Sequence, residues 1–230
     1  MKQLNILQSP SPNCNERRNE MSVSMLVLHY TGMQTAEGAL RRMCDVDAGV
    51  SAHYMITEEG LIHQLVAEDK RAWHAGVSYW NGITDVNSAS IGIEIVNPGH
   101  EFGYVPFPEE QMLAVKALSQ QIVNRYEIEP LNVVGHSDIA PKRKQDPGEL
   151  FDWEMLAAVG VGYWPAHNAS GEQMSRLALD EALEAIGYED PGSVETIAAF
   201  QRHWRPSVIS GEEDPETLKL AQLVAAQRNT

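Results

Sequence analysis

The segment Gly-His-Ser-Asp-Ile-Ala-Pro-Lys-Arg-Lys-Gln-Asp-Pro-Gly, residues 135–148, places a histidine (His136) and a carboxylate (Asp146) ten positions apart on a stretch rich in Pro and Gly. A loop of that kind can fold back so that both groups face one point. A third donor is available upstream: His29, in Leu-His-Tyr-Thr-Gly at 28–32, at the end of an apolar run. Two imidazoles and one carboxylate, with a fourth position left to water, are the ligand set of a catalytic rather than a structural zinc site. Water on zinc has its pKa lowered toward neutrality, which makes hydroxide available as a nucleophile. Attack on an amide then needs a base for the water's proton, a positive group for the oxyanion and a proton for the leaving amine. Glu94, a carboxylate among apolar neighbours in Ile-Gly-Ile-Glu-Ile, is the candidate base. Lys144, two residues before Asp146, is the candidate for the oxyanion. Each also has a plainer reading: Asp146 as a turn residue in Asp-Pro-Gly, Glu94 as a buried partner of a basic group, Lys144 as part of a solvated basic run.

These groups need elements to hold them. SVSMLVLHY (22–30) is apolar and β-branched, which predicts a buried strand ending at His29. Thr35 or its neighbour would cap a short helix over 36–44. HYMITEEGLIHQLV (53–66) reads as two short strands around Glu-Glu-Gly, and SIGIEIVNPG (90–99) as a buried strand stopped by Asn-Pro-Gly. Residues 108–126 open with Pro and acids and carry apolar residues at helical spacing. LNVVGH (131–136) is a last core strand that delivers His136 into a loop. Residues 1–20 read as an extended polar lead-in, with Cys14 and Cys44 both free. Strands and helices therefore mix over the first ~165 residues, an α/β class with a central mixed sheet flanked by helices. Beyond a boundary near 168–171 the pattern is helical, over 172–187, 193–204 and 214–227. The expected domains are 1–168 and a small three-helix domain, 171–230.

The bulk properties exclude some partners. A formal net charge of −15 argues against nucleic acid, whose phosphates need clustered Lys and Arg. It argues equally against attraction to an anionic membrane surface, and no apolar run is long enough to insert. The first twenty residues hold no apolar stretch of signal-peptide length, so the expected compartment is the cytoplasm, with the periplasm or cell envelope as the alternative. Oligomeric state is not encoded in any feature of the sequence.

LHYTG at 28–32, VSAHYMI at 50–56, AWHAG at 72–76, NSASIGIEIVNPG at 87–99 and GHSDIAPKRKQDPG at 135–148 occur in an order that resembles the zinc-dependent N-acetylmuramoyl-L-alanine amidases of the AmpD/AmiD type. These are related to bacteriophage lysozyme-type amidases and to peptidoglycan-recognition proteins. The resemblance covers about two-thirds of the chain. It implies one zinc ion on His29, His136 and Asp146, Glu94 as general base and Lys144 as oxyanion stabiliser. The implied reaction is hydrolysis of the amide between the lactyl group of N-acetylmuramic acid, or its 1,6-anhydro form, and L-alanine of a peptidoglycan stem peptide. The implied fold has the metal in a cleft above a mixed sheet. AFQRHWRP at 199–206, followed by Asp-Pro-Glu-Thr at 214–217, resembles the small three-helix peptidoglycan-binding module. That module points to the envelope as the setting, whereas the missing leader points to cytoplasmic recycling of muropeptides.

Further candidates for contact with substrate are His53, Trp73, His74 and Arg143, the last as a bidentate partner of a stem-peptide carboxylate. Trp80 is a candidate for stacking on sugar or for the core. His63, His100 and His203 are read as structural or solvated. Two rival functions share these residues: a non-catalytic peptidoglycan or muropeptide receptor, and a zinc peptidase cutting between stem amino acids.

Overall fold

The computed structural model describes residues 4–165 and 176–229. Its strands are β1 (Ile6–Gln8), β2 (Cys14–Glu16), β3 (Met25–Tyr30), β4 (Tyr54–Ile56), β5 (Ile62–Gln64), β6 (Lys70–Ala72), β7 (Ser90–Ile95) and β8 (Val133–Gly135). The helices are α1 (Ala36–Cys44), α2 (Val86–Ala89), α3 (Gly99–Phe102), α4 (Glu109–Tyr126), α5 (His136–Ile139), α6 (Trp153–Ala157), α7 (Leu179–Ile186), α8 (Val194–Trp204) and α9 (Pro215–Ala226). Six strands form one mixed sheet in the order β1-β5-β4-β7-β3-β8, in which β4 and β5 are the antiparallel pair. Strands β2 and β6 pair separately.

The two apolar runs lie at the centre because both of their faces are covered, which is what a parallel pair with continuous hydrophobic character requires. Strands β3 and β7 run parallel, with His29 opposite Glu94 and Val27 opposite Gly92. Side chains alternate across a sheet. Leu26, Leu28, Ile91, Ile93 and Ile95 therefore face one way, into a core completed by Met112, Val115, Leu118 and Ile122 of α4. Met25 and Val27 face the other way, and His29 follows them. Ser90, Gly92 and Glu94 share that second face. Period-two alternation thus places a donor and a carboxylate side by side on the face opposite α4.

The second face is covered by the C-terminal helices. Met25, Val27 and Val134 share one apolar cluster with Ala182, Leu183, Ile186, Phe200 and Val224. The expected boundary near 168–171 lies outside the described residues. On either side of it the chain packs into a common core, with α7–α9 as the layer opposite α4. Trp80 belongs to that core: it is 0% exposed, donates Nε1–H to the Leu131 carbonyl and meets Tyr188 edge-on. It is not available for stacking on a ligand.

A polar tie crosses the same junction. Asp138, 1% exposed, accepts from the Gly135 N–H (2.7 Å), the Tyr188 hydroxyl (2.7 Å) and His203 Nδ1 (2.8 Å). Burial, reinforced by the Asp138 carboxylate, raises the Tyr188 phenol well above its ordinary pKa, so it stays a donor. The His203 ring is stacked between Trp153 and Trp204, which gives the reading of His203 as structural its physical content. Asp138→Ala would orphan three buried donors at about 1 kcal/mol or more each, so the expected destabilisation is roughly 3 kcal/mol, measured by denaturant unfolding. A loss within ~0.5 kcal/mol, the range of ordinary surface changes, would show that the tie contributes nothing.

Two local expectations are corrected. The lead-in over 1–20 is partly strand: β1 pairs with β5, and the Ser11 N–H donates to the Leu65 carbonyl at 2.8 Å. Three-residue strands are too short to carry a periodic signal, and their pairing is made by backbone groups more than fifty residues away. His136 also does not enter a loop; it is the first residue of α5, whose start is held by Asp138 accepting from Gly135. Among the described residues no helix is long and apolar enough to cross a membrane.

Candidate active site and metal centre

His29 comes from the end of β3 and His136 from the first turn after β8, its neighbour in the sheet. The Ser137 N–H donates to the Asp146 carbonyl at 2.8 Å, which folds the 140–148 segment back beside His136. Three atoms consequently converge. His29 Nδ1 lies 2.9 Å from His136 Nδ1, and each lies 3.0 Å from Asp146 Oδ2. All three residues are buried.

The partners of the other ring nitrogens determine what these atoms present. Ser90 Oγ donates its single proton to the Val86 carbonyl at 2.6 Å, so toward His74 Nε2 (3.2 Å) it accepts. His74 therefore carries its proton on Nε2 and offers the Nδ1 lone pair to His29 Nε2, 3.0 Å away. His29 must then be protonated at Nε2, leaving the Nδ1 lone pair facing the other two donors. His136 reaches the same state by donating Nε2–H to the Ala75 carbonyl at 3.1 Å. Burial, with the neighbouring His136 second, lowers the His29 pKa to about 4; burial, then His29, puts His74 well below its ordinary value. Neutral rings are what this network requires.

Two imidazole lone pairs and a carboxylate oxygen thus face one another about 3 Å apart with no proton between them. Such a triangle is repulsive by itself and is reconciled by a cation at its apex. Donors at ~2.0–2.1 Å from one tetrahedral ion stand roughly 3.3 Å apart, close to the observed spacing. The chemistry of the three donors therefore fits a divalent ion of the zinc type.

A cleft of about 730 Å³ opens over these donors. Glu94, Lys144, Trp73 and Arg143 line it. Glu94 Oε2 is shut off from solvent and has no hydrogen-bond partner. Burial, with the Asp146 charge second, raises its carboxyl well above the usual range, and Lys144 opposes this.

The other candidates separate. His74 touches the cleft but spends both ring nitrogens on His29 and Ser90, and Gly92 beneath it is obligatory: a Cβ there would stand 2.5 Å from the ring. His53 is 0% exposed and outside the cleft; it accepts from the Gly92 N–H at 3.0 Å and contacts the Lys70 carbonyl and Arg17. Trp73 lies on the rim, its Nε1–H given to Asn15 Oδ1 at 2.9 Å. Arg143 donates Nε–H to the Val77 carbonyl at 2.9 Å and Nη2 to the carbonyls of Ala75 and Val77. It steadies the loop that supplies the acceptor for His136 and leaves little of its guanidinium for a ligand. His100, expected to be structural or solvated, lines the cleft and contacts the Tyr30 hydroxyl at 3.0 Å. Two positioning groups escaped sequence reasoning: Ser90, and Asn87, whose Oδ1 accepts from the His74 and Ala75 N–H groups. Both stand in the segment NSAS, and no spacing rule marks a serine as the orienter of a histidine.

A mixed sheet that brings two imidazoles and a carboxylate to one point, beside a half-buried glutamate that lines an open cleft, is the framework of a metal-assisted hydrolase. The chain belongs to the N-acetylmuramoyl-L-alanine amidase family, which matches residues 19–149. The N-acetylmuramoyl-L-alanine amidase AmiD of Escherichia coli (strain K12) is 37% identical over 227 residues, 87% of this chain and 81% of the relative. The 1,6-anhydro-N-acetylmuramyl-L-alanine amidase AmpD of Haemophilus influenzae is 35% identical over 64% of this chain and 88% of its own. Among solved structures, Escherichia coli AmiD in complex with the substrate anhydro-N-acetylmuramic acid-L-Ala-D-γ-Glu-L-Lys superimposes with a TM-score of 0.79, at 34% identity over 97% of this chain and 91% of that one. AmpDh3 of Pseudomonas aeruginosa gives the same TM-score at 34% identity, over 90% of this chain and 92% of its own.

Proposed function

We propose that this chain hydrolyses the amide between the lactyl group of N-acetylmuramic acid, including its 1,6-anhydro form, and L-alanine of a peptidoglycan stem peptide, in cell-wall turnover or recycling. The observation that carries the reading is the convergence of His29, His136 and Asp146 beside Glu94 in a chain of this family. The proposed metal is one zinc ion on those three residues. Bound there, zinc would supply Lewis acidity, lowering the pKa of water and polarising the scissile carbonyl.

The protein's own groups would do the rest. Glu94 lines the cleft and no hydrogen bond from the described residues holds its carboxylate, so it is free to accept the proton of the attacking water and to pass it to the leaving L-alanine nitrogen. Its raised pKa suits both halves of that transfer. The Lys144 ammonium would face the developing oxyanion. Ser90 and His74 would keep the His29 proton on Nε2, and the Ala75 carbonyl would do the same for His136. The substrate held by AmiD in its complex, an anhydro-muramyl tripeptide, supports a soluble fragment as one substrate. The likeness of residues 199–206 and 214–217 to a peptidoglycan-binding module supports polymeric peptidoglycan as another.

Mass spectrometry of an anhydro-muramyl tripeptide digest tests the proposal. Untreated protein is expected to release peptide beginning with L-alanine; chelation abolishes release and added zinc restores it. Cleavage inside the peptide would make the chain a peptidase, and fragment bound but uncut would make it a receptor. Parallel digestion of intact sacculi compares the two substrate forms.

A further inference from the structure

The two walls of the cleft differ in chemistry. One is formed by Tyr30, whose hydroxyl meets His100, and by the His100 ring, which is supported outside the lining by Tyr104, stacked at 4.4 Å, and by Glu149, 3.1 Å from Nε2. Glu101 joins this wall, and Arg202 Nε lies 3.9 Å from Glu149. A second wall is the C-terminal end of α1, with Met43, Val50 and Ser51. It is fastened from behind: Asn13 Nδ2 donates to the Val50 carbonyl at 2.8 Å, and Ser51 Oγ donates to the Asn13 carbonyl at 2.6 Å while accepting from the Trp73 N–H.

From this second wall projects Arg42, exposed and lining the cleft. Among the described residues its guanidinium has no hydrogen bond and no ion pair, whereas the adjacent Arg41 is paired with Glu37. In a chain of net charge −15, an arginine left without an acid at the mouth of a cleft stands out. The other cations of the cleft are engaged: Arg143 is bound to backbone carbonyls, and Lys144 stands beside Glu94 and the metal donors. The substrate class supplies the matching group. A stem glutamate linked through its γ-carboxyl keeps its α-carboxylate free, and the last residue of the peptide carries another.

We propose that Arg42 is a specificity-determining residue that binds a stem-peptide carboxylate, so that the peptide lies along the α1 wall and the uncharged sugar along the Tyr30–His100 wall. The inference rests on the function proposed above. A planar guanidinium grips a carboxylate through two parallel hydrogen bonds. Its loss should act on binding and leave the chemical step alone, because Arg42 touches none of the reacting groups.

The experiment compares wild type with Arg42→Ala on three substrates: anhydro-muramyl-L-Ala-γ-D-Glu-L-Lys, the same molecule with the glutamate α-carboxylate amidated, and the same molecule with the C-terminal carboxylate amidated. Arg42→Ala should raise KM for the parent about tenfold, with kcat, zinc content and Tm unchanged. Wild type should lose the same factor on one amidated substrate, and on that substrate the variant should lose nothing further. Which of the two it is identifies the carboxylate. Equal loss on all three substrates, or none on the parent, overturns the proposal. Calorimetric titration of the three fragments into Glu94→Gln protein, with and without Arg42, reads the same coupling as Kd. If wild type cleaves nothing while this coupling persists, the proposed reaction fails and the Arg42 assignment stands.

Discussion

Replacing Glu94 with alanine is expected to leave metal content unchanged and to lower kcat by on the order of 100-fold or more, the usual contribution of a positioned general base. The argument begins with the sheet. Glu94 sits opposite His29 on adjacent parallel strands, so alternation sends both side chains to one face, and a carboxylate arrives beside the metal donors without belonging to them. Buried carboxylates are ordinarily held by hydrogen bonds. Oε2 of Glu94 is buried and has none. Burial disfavours its charge, and its pKa rises well above the ordinary value. A group held for structure would be paired; one held for proton transfer must be free on the cleft side. Glu94→Gln keeps the shape and removes the proton acceptor, and it should fall as far as alanine does. Turnover within a factor of about three of wild type in either variant, with zinc retained, would remove Glu94 from the mechanism.

His29→Ala should abolish stoichiometric zinc binding and, with it, all measurable hydrolysis. Two remaining donors cannot complete a site that needs three protein ligands and one open position. The expected loss exceeds the ~10–100-fold in affinity that follows damage to a residue supporting a ligand. The His29 ring is pinned through His74 and Ser90 to the Val86 carbonyl, and Gly92 leaves just enough room for the His74 ring. The measurement is metal analysis after dialysis, with the far-ultraviolet spectrum as a check on folding. Folded His29→Ala protein that still carries one zinc per chain would refute the ligand assignment.

Much of the fold was legible because its central elements carry strong one-dimensional signals. The apolar runs at 22–30 and 90–99 became β3 and β7, Thr35 capped α1 through the Gly38 N–H as its side chain predicts, and the Pro-Glu-Glu opening with helical spacing became α4. Such signals survive because they reflect local propensity and the requirement to bury a continuous face. The edge strands β1 and β2 gave no such signal, since their stability comes from pairing with distant backbone. The helical character of the C-terminal part was plain, but its place was not: the cluster joining Met25 and Val27 to Leu183 and Phe200 depends on which face of the sheet stays open once α4 has covered the other.

The same division holds in the cleft. Residue type and motif order in the sequence determined which side chains could bind a metal and move a proton: His29, Glu94, Lys144, His136 and Asp146. Only the tertiary structure decided that His74 serves His29 across 45 residues, that His53 is engaged by the Gly92 N–H outside the cleft, that Arg143 is spent on carbonyl groups and that Asp138 answers to His203 across 65 residues. The reason is physical. A donor's identity is a property of one residue, whereas its tautomer, its free lone pair and its access to the cleft depend on neighbours that folding brings from remote parts of the chain.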